Sequence, residues 1–218
     1  MQLINYFKKI NILILILFSN YFGLAQNPVI PIENQNWQTV ANAYYKDTNN
    51  VFEAFEGTWL YQNGNDSITI KLIKKESMLV SNYISCYRDF LIGEVKYVKN
   101  GIERLNTLNN LAINHVDFRK YNLYSAGIIQ NDRFPSCNTC PPDAKRVSLM
   151  VDEPTNDDFG ISAIMVLEKG IQNSLEVIKM KFIKMEDAKN VNKNNLDLPS
   201  VFRDFTIPYG EYTLIKQP

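Results

Sequence analysis

A chain of 218 residues with 23 basic and 23 acidic side chains carries no formal net charge, and neither sign is gathered into a long block. That excludes the concentrated positive face needed to displace counterions from a nucleic acid, so no nucleic-acid partner is expected. Hydrophobic residues make up 45% and only three residues are cysteines, so a domain-sized core does not depend on a disulfide framework.

The first segment reads as an export signal. Lys8 and Lys9 form a basic start, Ile10 to Phe18 is apolar except for Asn11, and Gly23-Leu24-Ala25 places small residues where a signal peptidase reads them. Cleavage is expected between Ala25 and Gln26, leaving a protein that is secreted, periplasmic or held in the cell envelope. The competing reading, an uncleaved anchor, suffers from an apolar run too short to span a bilayer comfortably. No later run reaches that length either. The best, Ile161 to Leu167, contains Ser162 and fits a strand, so no transmembrane segment is expected after cleavage. Residues 26–50, rich in Asn, Gln and Pro, are expected to form an extended polar lead-in with a short turn of helix near Trp37–Tyr44. Residues 51–218 are expected to form one β domain.

That domain opens on Phe52-Glu53-Ala54-Phe55-Glu56-Gly57-Thr58-Trp59-Leu60-Tyr61. Gly57 lets the chain bend tightly, and Trp59 supplies one large plug for an open barrel end. Asn63-Gly64 then marks a turn. Ser67 to Leu72 alternates, which sends Ile68, Ile70 and Leu72 to a core, and Lys71, Lys74 and Lys75 read as the wet side of the strand. Val95 and Tyr97 alternate with Glu94 and Lys96. Asn100-Gly101 follows, before Ile102 to Leu105, and Asn-Gly between two alternating runs is a strong hairpin signal. Further strands are expected at Leu123–Ile129, Val147–Val151, Ile161–Leu167, Leu175–Ile183 and Tyr212–Lys216. The run Leu175 to Met185 fits either a helix or a strand by length. Ile178, Met180 and Phe182 alternating with Lys179 and Lys181 favour the strand. Gln130 to Lys145, with Pro135, Pro141 and Pro142, reads as a loop, and Glu186 to Pro199 as a polar connection.

Candidate chemistry is sparse. There is one histidine, His115, and most hydrolytic triads and zinc sites need at least that. On a strand, His115 and Asp117 would share a face, while the plainer reading is a surface histidine in a polar connection, next to Asn114. Cys86 could act as a nucleophile, but nothing in the spacing brings it to His115, and no Gly-x-Ser-x-Gly elbow is present. Cys86 reads better as a small buried apolar residue. Cys137-Asn138-Thr139-Cys140 is the sharpest motif. It has three readings: a disulfide that staples the loop, a zinc site with Cys86 and His115 as the distant soft ligands, or a redox pair. The stapling disulfide suits the surrounding prolines best. Asp152 to Asp158 is an acidic stretch that lacks the EF-hand spacing and reads as a solvated turn. Asn65-Asp66-Ser67 fits a glycosylation sequon and is read as turn chemistry.

Several pieces resemble a family of small secreted Bacteroidota proteins of unknown function. They are Tyr45 to Asn50, Phe55-Glu56-Gly57-Thr58-Trp59, Asn63 to Ile70, Asp89 to Tyr97 with Asn100-Gly101, and Ile207 to Gln217. The resemblance implies a secreted all-β domain and carries no activity. Gly57-Thr58-Trp59 is also similar to the first-strand feature of calycin barrels, namely lipocalins, fatty-acid-binding proteins and avidins. The fold expected is all-β, an antiparallel up-and-down barrel or two-sheet sandwich of calycin-like type. Two function classes follow. One is a non-enzymatic module that holds a small apolar or amphipathic ligand inside the barrel. The other is an envelope or surface interaction protein whose barrel is packed solid. No catalytic, cofactor-binding or metal-ligating residue is assigned and no cofactor is expected. A Cys-x-x-Cys redox activity and a Cys/His hydrolase are the minority enzyme readings.

Overall fold

The computed structural model describes residues 27–33, 38–81, 83–154, 161–187 and 204–218. Eleven strands follow one another: β1 (Val29–Pro31), β2 (Tyr44–Lys46), β3 (Gly57–Asn63), β4 (Asp66–Ser81), β5 (Ser85–Lys99), β6 (Ile102–Asn106), β7 (Leu123–Ile129), β8 (Arg146–Val151), β9 (Ile161–Gln172), β10 (Leu175–Asp187) and β11 (Gly210–Lys216). Among the described residues no α-helix forms, only short 3-10 turns at Phe52–Phe55, Leu108–Ala112 and Phe118–Lys120.

Local chemistry sets the hairpins. At the β5–β6 turn both Asn100 and Gly101 adopt positive φ, 54° and 77°, the conformation for which Asn-Gly is suited. Gly64 does the same at the β3–β4 turn, with φ 58°. The two tips lie side by side, since Gly101 N donates to Asn65 O (2.9 Å) and Asn100 N to the Asp66 carboxylate (2.7 Å). The β9–β10 turn uses Asn173 and Ser174, both at positive φ.

Eight strands close into an antiparallel barrel in meander order, β3-β4-β5-β7-β8-β9-β10-β11 and back to β3, with β6 an excursion off β5. Two seams are narrow. β5 meets β7 through Ile92↔Tyr124 and Gly93↔Leu123, and β11 meets β3 through Ile215↔Leu60 and Lys216↔Trp59. The free edge of β5 is therefore shared along its length by β2, β7 and β6 in turn. The fold is the up-and-down alternative of the sequence reading.

The inner rows are filled. Ile68, Ile70 and Leu72 from β4, Val95 and Tyr97 from β5, and Ile178, Met180 and Phe182 from β10 share one core with Trp59, Phe52 and Phe55. A second core lies outside the barrel, where Ala43, Tyr45, Met78, Val80, Cys86, Phe90, Ile92 and Tyr121 cover the outer face of β5. A bulge makes this possible. Between Lys75 and Met78 the β4–β5 register shifts, with Ser77 at φ 54°. The extra residue reverses which parity faces inward, so Met78 and Val80 point outward although Ile68, Ile70 and Leu72 point in.

Three expectations are corrected. Residues 38–43 form turns, not a turn of helix, and Tyr44 opens a strand, because Tyr44 and Tyr45 pair in parallel with Tyr87 and Arg88. Lys74 is not on the wet side. It pairs with Leu91, an inward position, and its side chain is 6% exposed among Asp47, Glu53 and Glu76. The strand placement of His115 and Asp117 fails, and the polar-connection reading of His115 holds, since both lie between two 3-10 turns. Asp117 accepts from Arg119 N at the head of the 3-10 turn Phe118–Lys120. The expected signal segment, Trp37, residues 155–158 of the acidic stretch and residues 188–199 of the polar connection lie outside the described residues, while Glu186 and Asp187, expected in that connection, still belong to β10.

Candidate functional site

Four regions carry chemistry: the barrel end, the acidic stretch after β8, the flap over β5, and the loop between β7 and β8. At the barrel end, Gly57 has φ 123° and Trp59 is fully buried, its indole N–H donating to Phe55 O at 2.8 Å. Lys216 Nζ lies 5.5 Å from the Trp59 ring centre. Two buried carboxylates brace this end. Asp47 accepts from Val51 N (2.9 Å) and Phe52 N (2.8 Å), which holds the turn Phe52–Phe55. Asp89 accepts from Tyr44 Oη (2.6 Å), Asp47 N (2.9 Å) and Ser77 N (3.0 Å), tying the lead-in and the β4 bulge to β5. Burial, with Asp89 beside it, drives the Tyr44 hydroxyl far above the ordinary tyrosine range. Next to this network, burial brings the Arg88 guanidinium down to about 10 while its Nη2 donates to Ala126 O at 2.9 Å. Tyr44, Asp47 and Asp89 are bonded to protein partners and hold structure together.

The acidic stretch is only partly what its composition suggests. Glu153 is buried, and its carboxylate accepts from Thr206 N at 2.8 Å and from the Thr206 hydroxyl. It clamps the segment before β11 onto the barrel, which corrects the solvated-turn reading at that residue.

The flap, residues 107–122, folds back over the outer face of β5. Glu94 lies beneath it, fully buried, its Oε1 accepting from Asn110 Nδ2 (2.7 Å) and Asn122 N (3.2 Å). Oε2 is buried without a hydrogen-bond partner among the described residues. Burial pushes the Glu94 carboxyl above the usual range. The Asn110 carbonyl faces His115 Nε2 at 2.8 Å, which assigns the proton to that nitrogen. His115 is half-buried and packs edge-on against Tyr121 at 5.0 Å. Asn106, Asn110, His115, Arg119, Asn122 and Asp152 rim a shallow depression of about 650 Å³. On its other side His115 borders a hollow of about 380 Å³ with the exposed side chains Leu79 and Val116. Cys86 is buried in the second core, and among the described residues no hydrogen bond links its thiol to His115.

The fourth region is the loop 130–145. Cys137 and Cys140 form a disulfide within it. Arg146, at the start of β8, is 3% exposed and gathers the loop, its Nη1 donating to Pro135 O (2.6 Å) and its Nη2 to Gln130 O (2.6 Å) and Arg133 O (3.2 Å). Below the loop the outer face of β8 to β11 forms a groove of about 490 Å³ whose charged walls are Arg146, Glu168, Lys179, Lys181 and Glu211. Cys140 Sγ lies 3.1 Å from Glu168 Oε2. A disulfide sulfur carries no hydrogen, so this is a close approach and not a hydrogen bond. The sequence reading missed Glu168 because it is 28 residues away from Cys140. Only the register Arg146↔Glu168 brings it under the loop.

No curated protein and no solved structure matches the chain significantly. A family model described as a family of unknown function, DUF6705, matches residues 7–217, nearly the whole chain, and the chain therefore belongs to that family.

Proposed function

We propose that the chain is an exported, non-enzymatic binding module that engages its partner from the outer surface of a filled barrel. The occupied interior carries this reading. Trp59, Ile68, Ile70, Leu72, Met180 and Phe182 come from three strands and are each at most 2% exposed. An eight-stranded barrel has an interior just wide enough for side chains to fill, and large inner residues leave a ligand little room. Relief is on the outside instead, in the groove below the disulfide loop and in the hollows flanking His115. Export rests on the basic, apolar and small-residue pattern of residues 8–25.

The other reading, a small apolar or amphipathic ligand held in the lumen, requires these rows to part. Native mass spectrometry of the exported protein, together with titration of a fluorescent fatty-acid probe, separates the two. The outer-surface reading expects no co-purifying small molecule and no saturable uptake. One probe per chain, bound with a change in Trp59 emission, would establish the lumen reading in its place.

A further inference from the structure

We infer that Cys137, Cys140 and Glu168 form a latent zinc site, closed while the cysteines are joined and opened when they are reduced. Their three potential ligand atoms already lie within 4.8 Å of one another. In a tetrahedral zinc site with ordinary Zn–S and Zn–O bond lengths, ligand atoms stand about 3.6–3.8 Å apart. The 3.1 Å approach of Cys140 Sγ to Glu168 Oε2 then needs to open by about half an ångström, and the two sulfurs, bonded to each other in the closed state, must part to that same spacing after reduction. Two thiolates with two residues between them are a familiar zinc chelate, and Glu168 is a third donor held on a paired strand, not on the loop. The fourth position faces the groove and is left for water. Two thiolates and a carboxylate around a dication leave one negative charge, and Arg146 and Lys179 lie in register with Glu168 on either side to offset it. The sequence reading looked to Cys86 and His115 for the missing ligands, but Cys86 is buried in the second core and His115 is bound to Asn110.

Opening requires a two-electron reductant, a dithiol. One thiolate of the dithiol attacks Cys137 Sγ, the sulfur farther from the Glu168 charge. The Cys137–Cys140 bond breaks and Cys140 leaves as a thiolate that takes up a proton. The second thiol of the reductant then displaces Cys137, giving two protein thiols and the reductant's own disulfide. Zinc binding releases the two thiol protons. The inference is independent of what the outer surface engages.

The test reduces the full-length exported protein with a small dithiol, removes the reductant without oxygen, and titrates Co²⁺ as a spectroscopic stand-in for zinc. The expected result is one Co²⁺ per chain, with thiolate-to-cobalt charge-transfer bands and tetrahedral visible bands. Zinc should displace it, and the oxidised protein should show neither set of bands. Glu168→Gln should weaken binding about tenfold or more while keeping the charge-transfer bands, and Cys140→Ser should abolish them. A reduced wild type without charge-transfer bands would overturn the inference, and so would a Glu168→Gln affinity equal to wild type. Loss of the buried Trp59 emission on reduction would overturn it too, since Glu168 would no longer be held beside the thiols.

Discussion

Individual side chains in this protein are decided by how completely their surroundings satisfy them. Trp59 is fully buried with its one polar atom bonded to Phe55 O. Emptying such a site costs the transfer energy of the ring plus a cavity, so Trp59→Ala should lower stability by about 3–5 kcal/mol in a urea melt. Glu94 is the contrasting case, a buried carboxyl with one oxygen unpartnered among the described residues. Its folded pKa is raised by burial, so the folded state holds the proton more tightly than the unfolded chain. That contribution is fully present below the ordinary carboxyl range and is lost as pH rises through the folded value. Wild type should therefore lose stability relative to Glu94→Gln as pH climbs from about 4.5 towards neutrality. At pH 7 the variant should be the more stable by about 1 kcal/mol, the low end for relieving a buried unsatisfied group. Parallel melts of the two proteins from pH 4 to 8 measure the difference.

Elements are held by register and by close approach. Gly93 sits where β5 passes from β4 to the β7 seam, and a Cβ there would stand 2.5 Å from Leu72 Cδ2 and 2.7 Å from Lys71 O. The backbone oxygen cannot step aside without breaking the pairing, so Gly93→Ala should cost about 1–3 kcal/mol as overpacking. It should also raise amide exchange along Leu91–Gly93 and Leu123–Ser125 before the rest of the barrel responds. The loop 130–145 is held by two devices of unequal strength. The disulfide closes a very short ring, so replacing both Cys137 and Cys140 with Ser should cost only about 1–2 kcal/mol, below the usual range for longer loops. Arg146 places a buried cation against three loop carbonyls. Arg146→Ala should cost more, about 2–3 kcal/mol, as hydrogen bonds to a charged group are lost. Chemical denaturation of the two variants ranks them, and the opposite order would make the disulfide the main tether.

Across the whole molecule, Asp89 joins parts that are far apart in sequence. It holds the hydroxyl of Tyr44 from the lead-in, the amide of Asp47 ahead of the turn Phe52–Phe55 and the amide of Ser77 at the bulge. Asp89→Ala should cost about 3–5 kcal/mol, as when one partner of a buried charged network is removed. Combined with Tyr44→Phe, its effect should fall clearly short of additive, because both changes break the same network. Additive losses in that double-mutant cycle would mean that the lead-in is attached to the barrel independently of Asp89.

Much of the barrel was legible in the residue pattern because a half-buried strand has a period of two. The alternation at Ile68, Ile70 and Leu72, at Val95 and Tyr97, and at Ile178, Met180 and Phe182 marks the inner rows, and Asn100-Gly101 marks a hairpin from backbone geometry alone. The closeness of two cysteines three positions apart made the disulfide legible as well. What the sequence could not carry is anything set by a long-range register. The parity of β4 reverses at Ser77, where the donor Ser77 N meets a carboxylate 12 residues away. Lys74, ahead of that reversal, keeps the inward parity of Ile70 and Leu72, and its charge is buried because Asp47, Glu53 and Glu76 are brought around it. Glu153 reads as one more acid in an acidic stretch, yet it meets Thr206 from the far end of the chain. Glu168 comes under the disulfide only because β8 and β9 pair as they do. Period and turn chemistry are local and were settled by the residues themselves. Burial of a charge depends on which distant strand lies alongside, and only tertiary pairing decided that.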